Sequence, residues 1–195
     1  MKWELPDDGL VELIPDFVPA ERCATTFDAL RAALPFEAKE IRILGRPVMQ
    51  PRLTAWVGDE GAVYRYSGTL NVPQPWPEAL LELRARVADV AGVAFNSVLC
   101  NLYRGGTDSM GMHSDSEPEL GRNPIIASLS LGAVRRFQLR HRKQRGVGVD
   151  IDLPDGSLLI MRGALQHYYR HGVPKQPNVK GARLNLTFRR VAPSS

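Results

Sequence analysis

The chain has 195 residues, 44% of them hydrophobic and 24% charged, with a net charge of +4. That length suits one domain with a sizeable core, and the composition excludes a disordered or low-complexity chain. Only Cys23 and Cys100 are present, which excludes a disulfide framework and fits a reducing compartment. No apolar run reaches the roughly 20 residues of a membrane span, and the first nine residues lack the apolar stretch of a signal peptide. A cytoplasmic monomer with no membrane partner is expected.

Taken in chain order, Pro19 to Leu34 predicts an amphipathic helix. Pro19 suits a first-turn position, and Cys23, Phe27, Leu30 and Leu34 recur at helical spacing. Ile41 to Tyr66 predicts short strands and turns around Gly45, Pro47, Pro51 and Gly58. A second helix is expected from Pro77 to Ala91, with Leu80, Leu83, Val87 and either Val90 or Ala91 on one face and Gly92 as its stop.

From Ser97 the pattern becomes period-two. Val98, Cys100 and Leu102 alternate with Leu99, Asn101 and Tyr103, and Val147, Val149, Ile151 and Leu153 alternate with Gly148, Asp150 and Asp152. In the last strand Ala182, Leu184, Leu186 and Phe188 share one face, and Arg183, Asn185, Thr187 and Arg189 the other. Short strands divided by Gly- and Pro-containing turns predict a mainly β fold with flanking helices around a double-sheet jelly roll. The face with two arginines is either solvated or lines a polar cavity inside the barrel.

His113 and Asp115, two apart, project to one side if they lie on a strand. Followed by a distant histidine, they make the two-imidazole, one-carboxylate set of a non-haem Fe(II) centre, which leaves open metal positions for a cosubstrate and oxygen. His-x-Asp alone arises often by chance. The order ligand pair, long gap, His171, then Arg183-x5-Arg189 is a stronger signal. Two arginines suit a dicarboxylate such as 2-oxoglutarate, because a guanidinium clamps a carboxylate through two parallel hydrogen bonds. His167 competes with His171 for the third position. Gly163, Gly172 and Pro174 make a shared helix for the two improbable, and His171 sits better at a strand end. His167 and His141 read as structural residues.

Arg135, Arg136, Arg140, Arg142, Lys143 and Arg145 place six positive charges within eleven residues. Such a stripe suits phosphate-backbone contact, although a solvated strand and loop would carry the same charges.

Together these residues resemble the AlkB family of Fe(II)/2-oxoglutarate-dependent nucleic-acid dealkylases. The likeness runs from about Gln50 to Arg190. It is carried by Gln50-Pro-Arg-Leu-Thr-Ala-Trp56, Tyr64-Arg-Tyr66, Asn101-Leu-Tyr103, His113-Ser-Asp-Ser-Glu-Pro118, Pro124 to Gly132, Gly156 to Met161, His171-Gly-Val-Pro174 and Arg183 to Arg189. The resemblance implies Fe(II) held by His113, Asp115 and His171, and 2-oxoglutarate contacted by Asn101, Tyr103, Arg183, Asn185 and Arg189. It implies O2 as the oxidant and alkylated DNA, or alternatively RNA, as partner. Tyr64 and Tyr66 match positions flanking the alkylated base, with Glu117 near its polar edge and Arg52 also in the substrate site. Residues 1–96 are then an N-terminal extension with helices and a nucleotide-recognition lid, and 97–195 the jelly-roll core, all within one structural domain. Two positions depart from relatives: Ser116 stands where several carry a second acid, and Leu44 where duplex-specialised relatives carry an aromatic wedge. A protein or small-molecule hydroxylase, or a cupin-like metal-binding module without turnover, are the competing readings.

Overall fold

The computed structural model describes residues 1–43, 46–66 and 69–192, with backbone alone for 41–43, 64–66 and 69–71. Leu44 therefore lies outside the described residues. Fourteen strands are described: β1 (Lys2–Leu5), β2 (Gly9–Ile14), β3 (Glu37–Ile43), β4 (Arg46–Gly58), β5 (Tyr64–Tyr66), β6 (Thr69–Asn71), β7 (Ser97–Tyr103), β8 (Met110–His113), β9 (Ile126–Gly132), β10 (Arg135–His141), β11 (Gly148–Leu153), β12 (Leu158–Gly163), β13 (Tyr169–Val173) and β14 (Arg183–Arg189). The helices are α1 (Ala20–Ala33), α2 (Glu78–Ala91) and the single turn α3 (Leu165–Tyr168).

The larger sheet runs β1-β2-β12-β9-β14-β7-β4-β3 and the smaller β11-β10-β13-β8. From β7 onward the chain passes back and forth between the two sheets, which is the jelly roll expected from the alternation. β1 and β2 extend the larger sheet beyond β12, and β3 and β4 extend it beyond β7.

Both long helices form as the apolar spacing predicts. Pro19 and Pro77 precede them, and Gly92 ends the second at φ 68°, a left-handed conformation that glycine adopts without steric cost. They cover the outer face of the larger sheet. Cys23 and Leu30 of α1 and Leu80, Leu83, Val87 and Ala91 of α2 pack into one core with Ala55, Val57, Val98, Cys100, Leu184, Leu186 and Phe188. A second core fills part of the space between the sheets, from Val11, Leu13, Phe137, Leu139, Ile151, Leu153, Leu159 and Tyr169.

The division of β14 follows. Its even-numbered residues face the helices, so Arg183, Asn185, Thr187 and Arg189 face into the barrel, and all seven residues are buried. The solvated alternative for that face is excluded.

Two expectations are corrected. The stretch 41–66 is not a set of short strands: β4 runs thirteen residues through Pro47 and Pro51. Proline lacks a ladder donor and is tolerated at edges and bulges. Pairing with β7 begins only at Leu53, leaving Pro47 with one neighbour, and Pro51 falls where the β3 register shifts between Ala38 and Glu40. Secondly, Asp115 is not on a strand, because β8 ends at His113.

Because Leu186 is fully buried in the helix-facing core, Leu186→Ala should lower unfolding free energy by about 2–5 kcal/mol in denaturant titration. A loss below about 1 kcal/mol would mean that the helical layer is not packed as described.

Candidate active site

His113 ends β8 and lies directly across from His171 on β13. The rings meet edge to face with centroids 4.3 Å apart, and Phe137 stacks on His171 at 5.4 Å. Asp115 follows in the chain just past β8. Side-chain ligand atoms of His113, Asp115 and His171 all lie within 4.8 Å of one another.

Each is held in a state that suits a metal. His113 Nδ1 is 2.9 Å from the Gly111 carbonyl, so Nδ1–H donates there, and Nε2 lies 3.8 Å from Asp115 Oδ1. Burial, reinforced by His113, pulls the His171 imidazole down to about 3, keeping it neutral. For Asp115, burial alone would raise the carboxyl, but the Arg189 guanidinium outweighs it and holds it below the usual carboxylate range. Arg189 Nη2 donates to Asp115 Oδ1 at 3.0 Å. Asp115 Oδ2 is buried without a hydrogen-bond partner and lies 3.8 Å from His171 Nε2. A buried anionic oxygen left in that condition is unfavourable unless something binds it. Two imidazole nitrogens and a carboxylate oxygen so placed fit a divalent cation, Fe(II) included.

Behind this trio a narrow cleft opens between the sheets, and the inward face of β14 forms part of its wall with Asn101, Tyr103, Met110, Phe137 and Met161. Register places Arg183 across from Tyr103 and Asn185 across from Asn101 on β7. On the other side, β9 supplies Ser130 and Ser128 to Arg183 Nη2 and Asn185 Nδ2 at 2.9 and 2.7 Å. Arg183 Nε and Nη1 remain buried without a partner, and no carboxylate among the described residues pairs with this guanidinium. Burial draws it down to about 10. A cation in that setting calls for an anion of the right reach, and a carboxylate of a small dicarboxylic acid fits.

The structure thus brings together His113, Asp115, His171, Asn101, Tyr103, Arg183, Asn185 and Arg189. His167 is exposed on α3 and takes no part. Arg52 is buried with its Nε donating to Asn101 Oδ1 at 2.7 Å, which joins it to the same polar layer. Glu117 is half-buried with Oε2 unpartnered. Tyr64 and Tyr66 lie on β5, paired with β6; their side chains are outside the description.

The basic stripe is corrected in part. Arg135 is buried, and it donates to the carbonyls of Gly105, Asp108 and Pro174 and to Gln176 Oε1. It braces loops and cannot touch a phosphate. Arg136 pairs with Asp152 and Arg140 with Asp150, because β10 and β11 alternate in step and place opposite charges side by side. Arg142 donates to Ser114 Oγ at 2.7 Å. Lys143 and Arg145 are exposed and have no acidic partner among the described residues.

Sequence reasoning missed three contributors. Ser128 and Ser130 were legible as alternate polar positions in Ala127-Ser-Leu-Ser-Leu131. Gln166, whose Oε1 accepts the Asp115 N–H at 3.0 Å, follows Leu165 in a one-turn helix too short to show periodicity.

Comparison with known proteins identifies the family. Residues 10–189 match the family model of the 2OG-Fe(II) oxygenase superfamily. The chain is 42% identical over 190 residues to alpha-ketoglutarate-dependent dioxygenase alkB homolog 3 of Bos taurus and of Homo sapiens, covering 93% of this chain and 66% of each relative. It is 38% identical over 162 residues to DNA oxidative demethylase ALKBH2 of Mus musculus, covering 80% and 68%. A solved structure described as that of OsALKBH1 superposes with a TM-score of 0.69 at 17% identity, covering 97% of this chain and all of that one. The chain belongs to the AlkB family of 2OG-Fe(II) oxygenases. It spans about two thirds of the length of the first two relatives.

His171→Ala should abolish tight Fe(II) binding, since two protein ligands do not hold the facial geometry, while His167→Ala should bind as the native protein does. Metal titration of both variants checks this, and the reverse pattern would move the centre onto α3. Arg183→Lys should weaken 2-oxoglutarate binding at least tenfold, because a point charge loses the planar fork; unchanged affinity would remove the anion from this end of the cleft.

Proposed function

We propose that this chain is an oxidative dealkylase of nucleic acid, acting on N-alkylated bases such as 1-methyladenine and 3-methylcytosine in DNA. The observation that carries the reading is the His113, Asp115 and His171 trio with a buried carboxylate oxygen left unpartnered, set before an arginine with unpaired donors. The names of the relatives, one of them a DNA oxidative demethylase, support the substrate class.

His113, Asp115 and His171 would hold Fe(II). With 2-oxoglutarate and O2 the bound metal supplies the oxidation of the N-alkyl carbon, yielding succinate, CO2 and, from a methyl group, formaldehyde. The chain's own residues do the rest. Arg183, with Tyr103 and Asn101 across the sheet, takes the far carboxylate of the cosubstrate. Arg189 balances the charge of Asp115 and adds a cation at the metal end. Phe137, Met110 and Met161 wall the cleft with apolar surface and restrict water.

A base must leave the stack to reach the metal, and a methylated Watson–Crick edge lowers the cost because it no longer pairs. On this reading residues before Ser97 include the recognition lid. Tyr64 and Tyr66 flank the base, and Arg52 and Glu117 meet its polar edge. Lys143 and Arg145 supply phosphate contacts.

Formaldehyde release from 1-methyladenine and 3-methylcytosine, each in DNA and RNA oligonucleotides, tests the proposal. Turnover on DNA that needs Fe(II) and 2-oxoglutarate is expected. Cosubstrate consumption with no demethylation of any of the four would favour a hydroxylase of protein or small molecules. Neutralising Lys143 and Arg145 together should flatten the dependence of log affinity on log salt by about 0.7–0.9 per lost phosphate contact, with turnover of a free methylated nucleoside retained. An unchanged slope would assign these residues to solvation alone.

A further inference from the structure

Asp115 carries the metal-facing oxygen, yet it lies beyond the end of β8. No strand ladder fixes its backbone there, so the position of its carboxylate depends on whatever else holds the residue. Two contacts do. At the side chain, Arg189 Nη2 donates to Oδ1 at 3.0 Å. At the main chain, the Asp115 N–H donates to Gln166 Oε1 at 3.0 Å.

Gln166 lies on α3, in the crossover from β12 of the larger sheet to β13 of the smaller. Its side chain is buried, with the residue 1% exposed, and its Nε2 lies 3.7 Å from Met161 Sδ. The α3 turn points Gln166 inward while its neighbour His167 is exposed. A glutamine placed only to fill the core would be poorly suited: an apolar side chain fills such space without burying an amide. The amide has one strong partner, and that partner is the backbone of a metal ligand.

We infer that Gln166 is a positioning residue for the metal centre, holding the Asp115 main chain so that Oδ2 meets the cation while Arg189 keeps Oδ1. The pair acts as a two-point clamp: Arg189 sets the rotation of the carboxylate and Gln166 sets the location of its backbone. Ser114, between the two ligands, is tied in the same way by its Oγ to the Tyr169 carbonyl at 2.6 Å, so both residues after His113 are anchored to the α3–β13 segment that also carries His171. The inference rests on the reading of His113, Asp115 and His171 as a metal centre, and it adds a fourth residue that touches the Asp115 backbone and would not itself ligate the metal.

The test uses the full chain and Co(II) as probe, titrated without oxygen or cosubstrate, with thermal midpoints recorded in parallel without metal. Partners that orient metal ligands alter affinity by about 10–100-fold when removed. Gln166→Leu, which removes the acceptor at similar volume, should weaken Co(II) binding by that factor. Gln166→Glu, which keeps an acceptor oxygen at the same reach, should stay within a few fold of native. Val87→Ala in α2, remote from the site, controls for general loss of stability and should leave Co(II) affinity unchanged. If Gln166→Leu does not fold, Gln166→Asn, one methylene short of Asp115, takes its place and should also bind Co(II) at least tenfold more weakly. Native affinity in a folded Leu or Asn variant overturns the inference while leaving the metal centre intact. Failure of the native chain to bind Co(II) overturns both.

Discussion

The constraint on which this structure turns is a buried carboxylate between a guanidinium and two imidazoles. Asp115 and Arg189 are 3.0 Å apart with side chains almost fully withdrawn from water. Such a pair is costly to desolvate and is weak evidence for stability on its own. Here the sum of charges explains its retention. Arg189 offsets Asp115, which leaves Oδ2 able to meet a cation, while Arg183 remains a buried positive charge with donors to spare. Asp115 Oδ2 is thus placed to meet a cation and Arg183 an anion, the pair that an Fe(II)/2-oxoglutarate oxygenase binds.

The jelly roll makes this arrangement affordable in structural terms by dividing its interior. On one side of the intersheet space lie Val11, Leu13, Phe137, Leu139, Ile151, Leu153 and Leu159; on the other lies a polar layer spread over β9, β14, β7 and β4. Each polar strand turns its opposite face to the helix-covered core, so β14 is anchored by Leu184, Leu186 and Phe188 while it presents Arg183 and Arg189. Stability comes from one face and chemistry from the other.

Much of this was legible in the sequence because it rests on periodicity. The two-residue alternation of Arg183 to Arg189 and of Val98 to Tyr103 announces strands with one polar face, and the 3.6-residue spacing in α1 and α2 announces their buried stripe. What stayed hidden depends on strands that are distant in sequence. The cluster from Arg135 to Arg145 reads as one charged surface, yet Arg135 turns inward to four acceptors and Arg136 and Arg140 meet acids of β11. Pro47 and Pro51 read as breaks, yet β4 passes through both, since an edge position and a register shift leave their missing donors without consequence. Gln166 gave no signal at all, because its purpose is defined by a partner 51 residues earlier in the chain.

Asp115 Oδ2 and Arg183 face one cleft, so metal and cosubstrate should bind together. Calorimetric titration of 2-oxoglutarate into Co(II)-loaded and metal-free protein measures that linkage directly. If one cleft holds metal and cosubstrate in contact, the metal should tighten 2-oxoglutarate binding at least tenfold, and 2-oxoglutarate should tighten Co(II) binding by the same factor, as linkage requires. Equal affinity with and without metal, or no binding in either state, would contradict it.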